Sequence, residues 1–354
     1  MSNSTTYSKQ SPWLYHAPFE SAFILAPAFL VTALVMAFPH VFGADSPVPP
    51  YAWLLLVVFI DVAHVYSTLY RTYFDKEEFQ KFRKPLTWVP ILSLLGMILL
   101  YLGAGSQWFW TVLAYLAVFH FVRQQYGFFR LYSRKEQSLF DWERKLDATV
   151  IYGATLYPII YWHCNLPRKF SWFMPGDFLA IPWTGLADVA GYIYAVIVVA
   201  YVLKEIKAYS DGRTFNLPKQ GILIGTIIVW YVGIVLYNGD IAFTATNVAA
   251  HGIPYMALIW LYGRKKLDKN GPKKARWFRI HMLPAFIGII IVLAYLEEGL
   301  WDGLVWRDHS ELFPWAEALP FLESPLLLGI AIPLLALPQV THYVIDGFIW
   351  KQPK

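Results

Sequence analysis

The feature that most limits this chain is the recurrence of apolar runs long enough to cross a bilayer. A helix needs about 20 predominantly apolar residues to span a hydrocarbon core about 30 Å thick. The sequence predicts about ten such spans, at residues 19–38, 51–70, 86–102, 108–131, 147–162, 185–203, 222–237, 241–262, 282–296 and 326–350. Only 15% of the residues are charged, against about a quarter in soluble domains. The expected fold is therefore all-α, a polytopic integral membrane helical bundle. One transmembrane domain, 19–350, should lie between two short tails, 1–18 and 351–354. Residues 1–18 lack the charged start, short apolar core and cleavage site of a signal peptide, so the first span reads as an uncleaved anchor.

The charges lie where a membrane protein needs them. Lys and Arg crowd the loops after the even spans: Arg71, Lys76, Lys81, Arg83 and Lys84; Arg134, Lys135, Arg144 and Lys145; Lys204, Lys207, Arg213 and Lys219. The loop after the eighth span is the most basic, from Arg264, Lys265, Lys266 and Lys269 through Lys273, Lys274 and Arg276 to Arg279. Loops after odd spans carry few. By the positive-inside rule the basic side is cytoplasmic and both termini face it. The net charge of +5 is then a topological signal, and no nucleic-acid partner is expected. The single cysteine, Cys164, excludes an internal disulfide and a Cys-rich metal site.

Four histidines stand inside spans: His64, His120, His251 and His342, one each in the second, fourth, eighth and tenth. All four spans run from outside to inside, and the histidines lie roughly 10 to 20 Å from the basic end at 1.5 Å per residue. Four imidazoles at one depth predict a single layer, with the even spans in a central bundle and the odd ones packed outside. His16, His40, His163, His281 and His309 fall in a tail, at span ends or in a loop and read as interfacial residues.

The neighbours of the four suit metal chemistry. A ligating imidazole usually gives its other N–H to a carboxylate or carbonyl. Asp61 precedes His64 by three and Asp346 follows His342 by four, spacings that share a helix face. Asn247 and Tyr255 flank His251 at four residues on either side, and Arg123 and Gln124 follow His120 as candidates to anchor a carboxylate. Arg123, Gln124 and Tyr255 are the catalytic candidates. Imidazole donors suit Zn, Cu or Fe. The His-Glu-x-x-His of zinc proteases is absent, as are Gly-rich phosphate loops and a Gly-x-Ser-x-Gly elbow. Membrane desaturases carry close-spaced histidine boxes, whereas no two of these intramembrane histidines lie within five residues. Four neutral histidines fit a mononuclear non-haem iron that binds O₂.

These motifs resemble the bacterial Brp/Blh-type β-carotene dioxygenases, polytopic proteins that hold iron with histidines. His120-Phe121 is similar to that family's His-Phe in a middle span. Its later His-x-x-x-His maps onto His251 and Tyr255, with tyrosine in the second place. Its early Pro-His-Gly is Ala63-His64-Val65 here, and its C-terminal His, Ile-Asp and aromatics resemble His342 to Trp350. The resemblance implies non-haem Fe(II) held by His64, His120 and His251, with the fourth ligand either lost or taken by His342. It implies an O₂-dependent oxygenase of an apolar lipid-phase substrate, a carotenoid, isoprenoid or acyl chain, in a bacterial inner membrane. An electron-donor protein docking on the basic loops is a further expected partner. Three rivals stay open: a membrane-bound O-acyltransferase using His251 and Asn247, a proton-coupled transporter relaying through Asp61, Arg123 and the histidines, and a scaffold without chemistry.

Overall fold

The computed structural model describes residues 11–43, 46–134, 136, 140–166, 174–271 and 275–351. Every regular element among them is a helix. The outermost parts of both tails, with Asp45, Lys135, Lys273 and Lys274, lie outside the described residues. The helices are α1 (Ala17–Ala37) and α2 (Pro50–Arg71), the short α3 (Lys76–Lys81), α4 (Arg83–Ala104), α5 (Ser106–Ser133), α6 (Asp141–Cys164) and α7 (Thr184–Ser210). Next come α8 (Leu217–Leu236) and α9, which runs Asp240–Phe243, Thr244–Val248 and Ala249–Asn270 in three joined pieces. The chain closes with α10 (Ile280–Trp306), α11 (Pro325–Leu335) and α12 (Leu337–Ile349).

Six of these, α1, α2, α4, α7, α8 and α10, are long and apolar enough to cross a membrane, and α11 with α12 makes a seventh if that pair is one span. The chain is therefore a multi-pass helical membrane protein. The pair is bent by 41°, because Pro338 offers no N–H to the turn before it and its ring crowds the carbonyl four residues back. Helices α5, α6 and α9 are more polar because protein, not lipid, surrounds much of their surface. Buried positions in α5 include Gln124 and Gln125, and those in α6 include Glu143 and Asp147.

The helices that carry the four histidines pack on one another: α2 against α9 and α12, and α5 against α9 and α12. Around them stand α1, α4, α8 and α10. The expectation that even spans are central holds for the second, fourth, eighth and tenth, and fails for the sixth. That span, α7, pairs with α6 and turns Tyr192, Ile193, Val196 and Val199 outward. From Gly191 to Leu203 it carries no Asp, Glu, Lys or Arg, so lipid suits that stretch as well as protein does.

The expected end of the ninth span is also corrected. Helix α10 continues past Leu296 to Trp306, which brings Glu297 and Glu298 inside the helix. Glu297 is satisfied there: Tyr66 donates to its Oε2 at 2.5 Å and Gln339 to its Oε1 at 3.4 Å. At the basic-loop end, α6, α7 and α8 are tied together by Lys204 Nζ on Asp147 at 2.5 Å and Lys219 Nζ on Glu205 at 2.8 Å.

Two helices leave the α path just before a histidine. Residues Leu54–Val62 of α2 and Thr244–Val248 of α9 are π-helical, a form frequent at functional sites. Between them α2 and α9 approach closely at Gly252, where a Cβ would meet Ile60 Cγ2 and the Ile60 carbonyl oxygen, each at 2.8 Å. Only glycine allows that crossing without a shift.

Candidate metal centre

The four in-span histidines converge. His64, His120, His251 and His342 are all at most 4% exposed, each from a different helix. His251 Nε2 lies 3.1 Å from His64 Nε2, and His342 Nε2 lies 3.2 Å from His120 Nε2. Ligand nitrogens of His64, His120 and His342 all fall within 4.8 Å of one another, as do those of His64 and His251 with an Asp61 oxygen. Nitrogens about 2.0–2.1 Å from one tetrahedral metal stand roughly 3.3 Å apart. Two pairs come close to that spacing, His64 with His251 and His120 with His342, and His64 belongs to both groups, so the four imidazoles form one connected set of donors.

Metal ligation through Nε2 requires the hydrogen on Nδ1, and the surroundings of His342 enforce that tautomer. Its Nδ1 lies 2.8 Å from Thr68 Oγ1. Thr68 Oγ1 lies 3.0 Å from Tyr255 Oη, and Tyr255 donates to Asp346 Oδ1 at 2.6 Å. The chain is consistent in one direction: imidazole to threonine, threonine to tyrosine, tyrosine to carboxylate, leaving His342 Nε2 bare. Asp346 thus acts on His342 through two hydroxyls rather than directly, the direct separation being 3.9 Å.

His64 Nδ1 faces Asp61 Oδ1 at 3.6 Å, and neither atom has a hydrogen-bond partner. His251 Nδ1 is likewise buried without one. Its ring lies flat on Phe121, centroids 3.8 Å apart and planes 7° apart. Tyr343 stacks on His120 at 4.6 Å. The imidazoles are therefore held by aromatic faces on one side and by the relay on the other.

The three catalytic candidates lie in three different settings. Arg123 is exposed, donates to the Tyr152 hydroxyl and stacks over Tyr126, because its position on α5 turns it toward α6. Gln124, the next residue, is buried and donates to the His251 carbonyl at 2.8 Å; it joins α5 to α9 and does not line the cavity described below. Tyr255 belongs to the relay behind His342 and is a positioning residue. Asn247 gives its amide to the Phe243 carbonyl and the Thr246 hydroxyl, each at 3.3 Å, and is not bonded to His251. His163 is buried rather than interfacial, bonded to Tyr115 at 2.8 Å and to the Ile159 carbonyl at 2.7 Å.

A cavity of about 560 Å³ adjoins the histidine layer. It reaches the layer through Asp61, Phe121 and Tyr343, and extends to Trp53, Trp306, Asp308 and His309, which belong to the ends of α2 and α10 remote from the basic loops. Trp110, Trp162, Trp230 and Trp301 complete most of its wall. Sequence reasoning ended the ninth span before Glu298, Trp301 and Asp302 and so left them out of the site, and it set aside His309, which does lie past the end of α10. The paired Glu297-Glu298 directly after an apolar run was the available signal. Comparison with known families, curated proteins and solved structures finds no match for this chain.

Proposed function

We propose that the chain is a membrane-embedded non-haem iron oxygenase acting on an apolar, lipid-phase substrate. The observation that carries this reading is the convergence of four buried imidazoles, one from each of four helices, beside a cavity large enough for a drug-sized molecule. The set fits an ion by spacing and by donor chemistry. Iron rather than zinc or copper follows the resemblance of His120-Phe121 and His342 to Trp350 to the Brp/Blh-type family. When bound, Fe(II) would supply the oxygen chemistry. His64, His120, His251 and His342 would hold it, and the relay from His342 to Asp346 fixes ligand orientation and tautomer.

The remaining work belongs to the protein's own groups. The tryptophan wall keeps water from the reacting region and aligns an extended chain along the cavity. Phe121 and Tyr343 separate the imidazole rings from that space and set how close a substrate carbon comes. The geometry lends the acyl-transfer reading no support, since Asn247 is engaged elsewhere. A relay through Arg123 gains none either, with its guanidinium on the outer face of α5.

The same reading includes ten spans with both termini cytoplasmic, a multi-pass protein of a bacterial inner membrane, and a cavity facing the outer leaflet. Molecular oxygen is the co-substrate, membrane lipids surround the outer helices, and the basic loops suit docking of an acidic electron-donor protein.

Metal analysis of the detergent-purified chain tests the reading, beside a His120→Ala, His342→Ala double variant. Near-stoichiometric iron in the parent, lost in a folded double variant, supports it. Protein grown with iron and zinc that binds neither would overturn it. Oxygen uptake with carotenoids, isoprenoids and acyl lipids then separates substrates.

A further inference from the structure

The cavity beside the histidines carries a charge pattern that a pure hydrocarbon does not need. Among the described residues its lining includes five carboxylates, Asp61, Asp177, Glu298, Asp302 and Asp308, and neither Lys nor Arg. Asp177 is satisfied by Gln107 Nε2 at 3.0 Å and the Met174 amide at 2.7 Å. Asp302 accepts from the His309 amide at 2.7 Å, and Asp308 is exposed. The other two are different. Asp61 turns Oδ1 toward His64 Nδ1 at 3.6 Å and also lines the cavity. Glu298 makes no hydrogen bond or ion pair among the described residues, although the charges of Asp61 and Asp302 act on it.

The same lining is rich in indoles. Trp110, Trp301 and Trp306 form one cluster, with centroids 5.5 to 6.3 Å apart, and Trp53, Trp162 and Trp230 extend it. Indole faces attract cations, and aromatic walls with carboxylates are how ammonium groups are recognised. A carboxylate inside a membrane needs a partner at its own depth. Among the described residues no Lys or Arg lines the cavity, and the space is far larger than a proton path requires.

We propose that the cavity binds a cationic amphiphile, a molecule with an apolar chain and an ammonium-type head, the head held between Glu298, Asp61 and the tryptophan wall. This rests on the cavity being the substrate site of the proposed oxygenase, and it narrows the substrate to one bearing a positive charge near its reacting end.

The test is equilibrium binding of radiolabelled dodecyltrimethylammonium to the full chain in zwitterionic nanodiscs, corrected with empty nanodiscs. Saturable binding is expected, about tenfold weaker in Glu298→Gln, and not displaced by dodecanol, which has the same chain without charge. Trp306→Ala, at the edge of the wall, should weaken it in the same direction, and serves if Glu298→Gln fails to fold. Equal competition by dodecanol, or unchanged binding in both folded variants, would overturn the proposal. So would the absence of saturable binding. The assay is repeated after chelator treatment: cation binding without any iron in the parent would sink only the oxygenase reading, and iron without cation preference only this one.

Discussion

Tyr255 donates to Asp346 at 2.6 Å while its own oxygen stands 3.0 Å from Thr68 Oγ1. One phenol thereby links a carboxylate on α12 to the hydroxyl that faces His342 Nδ1. Replacing it with phenylalanine takes the phenol's hydrogen bond from the half-buried Asp346 and frees His342 to take either tautomer. Tyr255→Phe is expected to weaken metal binding by about 10- to 100-fold, read by competition with a chelator of known affinity. Asp346→Asn should move in the same direction. Unchanged affinity in both would remove the relay from the site.

Phe121 is both the lid over the His251 ring and a wall of the cavity. Phe121→Ala opens the imidazole to that space without removing a ligand. Metal stoichiometry should stay near the parent's, and the rate of metal loss to an added chelator should rise. Stopped-flow extraction distinguishes this from simple loss of affinity.

Gly252 lets α9 press on α2 one residue beyond His251. In Gly252→Ala the new methyl meets the Ile60 backbone, which cannot swing aside as a side chain end would. Overpacking of this kind costs about 1–3 kcal/mol. A lower thermal midpoint in detergent is expected, together with weaker metal binding, because the two helices that must separate carry His64 and His251. A stable variant with full metal would show that the crossing is softer than its contacts indicate.

Away from the membrane-spanning segments, Arg213 grips Glu143 with two hydrogen bonds, 2.6 and 3.1 Å long. Burial pushes the Glu143 carboxyl up, but the Arg213 bonds and charge, with the Phe140 amide, overcome it and hold it below its ordinary value. A carboxylate lowered in the folded state stabilises above its unfolded pKa, and that contribution fades as pH falls through the folded value. The gap in thermal midpoint between the parent and Arg213→Met should be full at neutral pH and shrink as pH falls below the ordinary glutamate range. A gap independent of pH would mean that Arg213 contributes only by packing.

The histidine layer was legible because each imidazole interrupts an otherwise apolar run, and helical rise turns position along a span into depth. Which neighbour faces the layer was not legible. Arg123 and Gln124 are adjacent in sequence and about 100° apart around α5, so a polar pair says little about which member points inward. Thr68 gave no signal at all, since a threonine four residues after His64 is ordinary until α12 sets His342 beside it. Glu297 and Glu298 looked like the start of a loop because two carboxylates close an apolar run. The burial of Glu297 depends on Tyr66 and Gln339 arriving from other helices, which no local pattern records.

The π-helical stretches in α2 and α9 have a consequence for how the centre is inherited. A π turn accommodates an extra residue in a helix that otherwise keeps its path. Deleting one residue between positions 54 and 62 would turn the rest of α2 by about 100° and swing His64 toward α10 or lipid, with every ligand still present in the sequence. The centre is sensitive to single-residue insertions and deletions at two places that contribute no ligand, so a chain sharing all four histidines but lacking either extra residue would assemble a different layer.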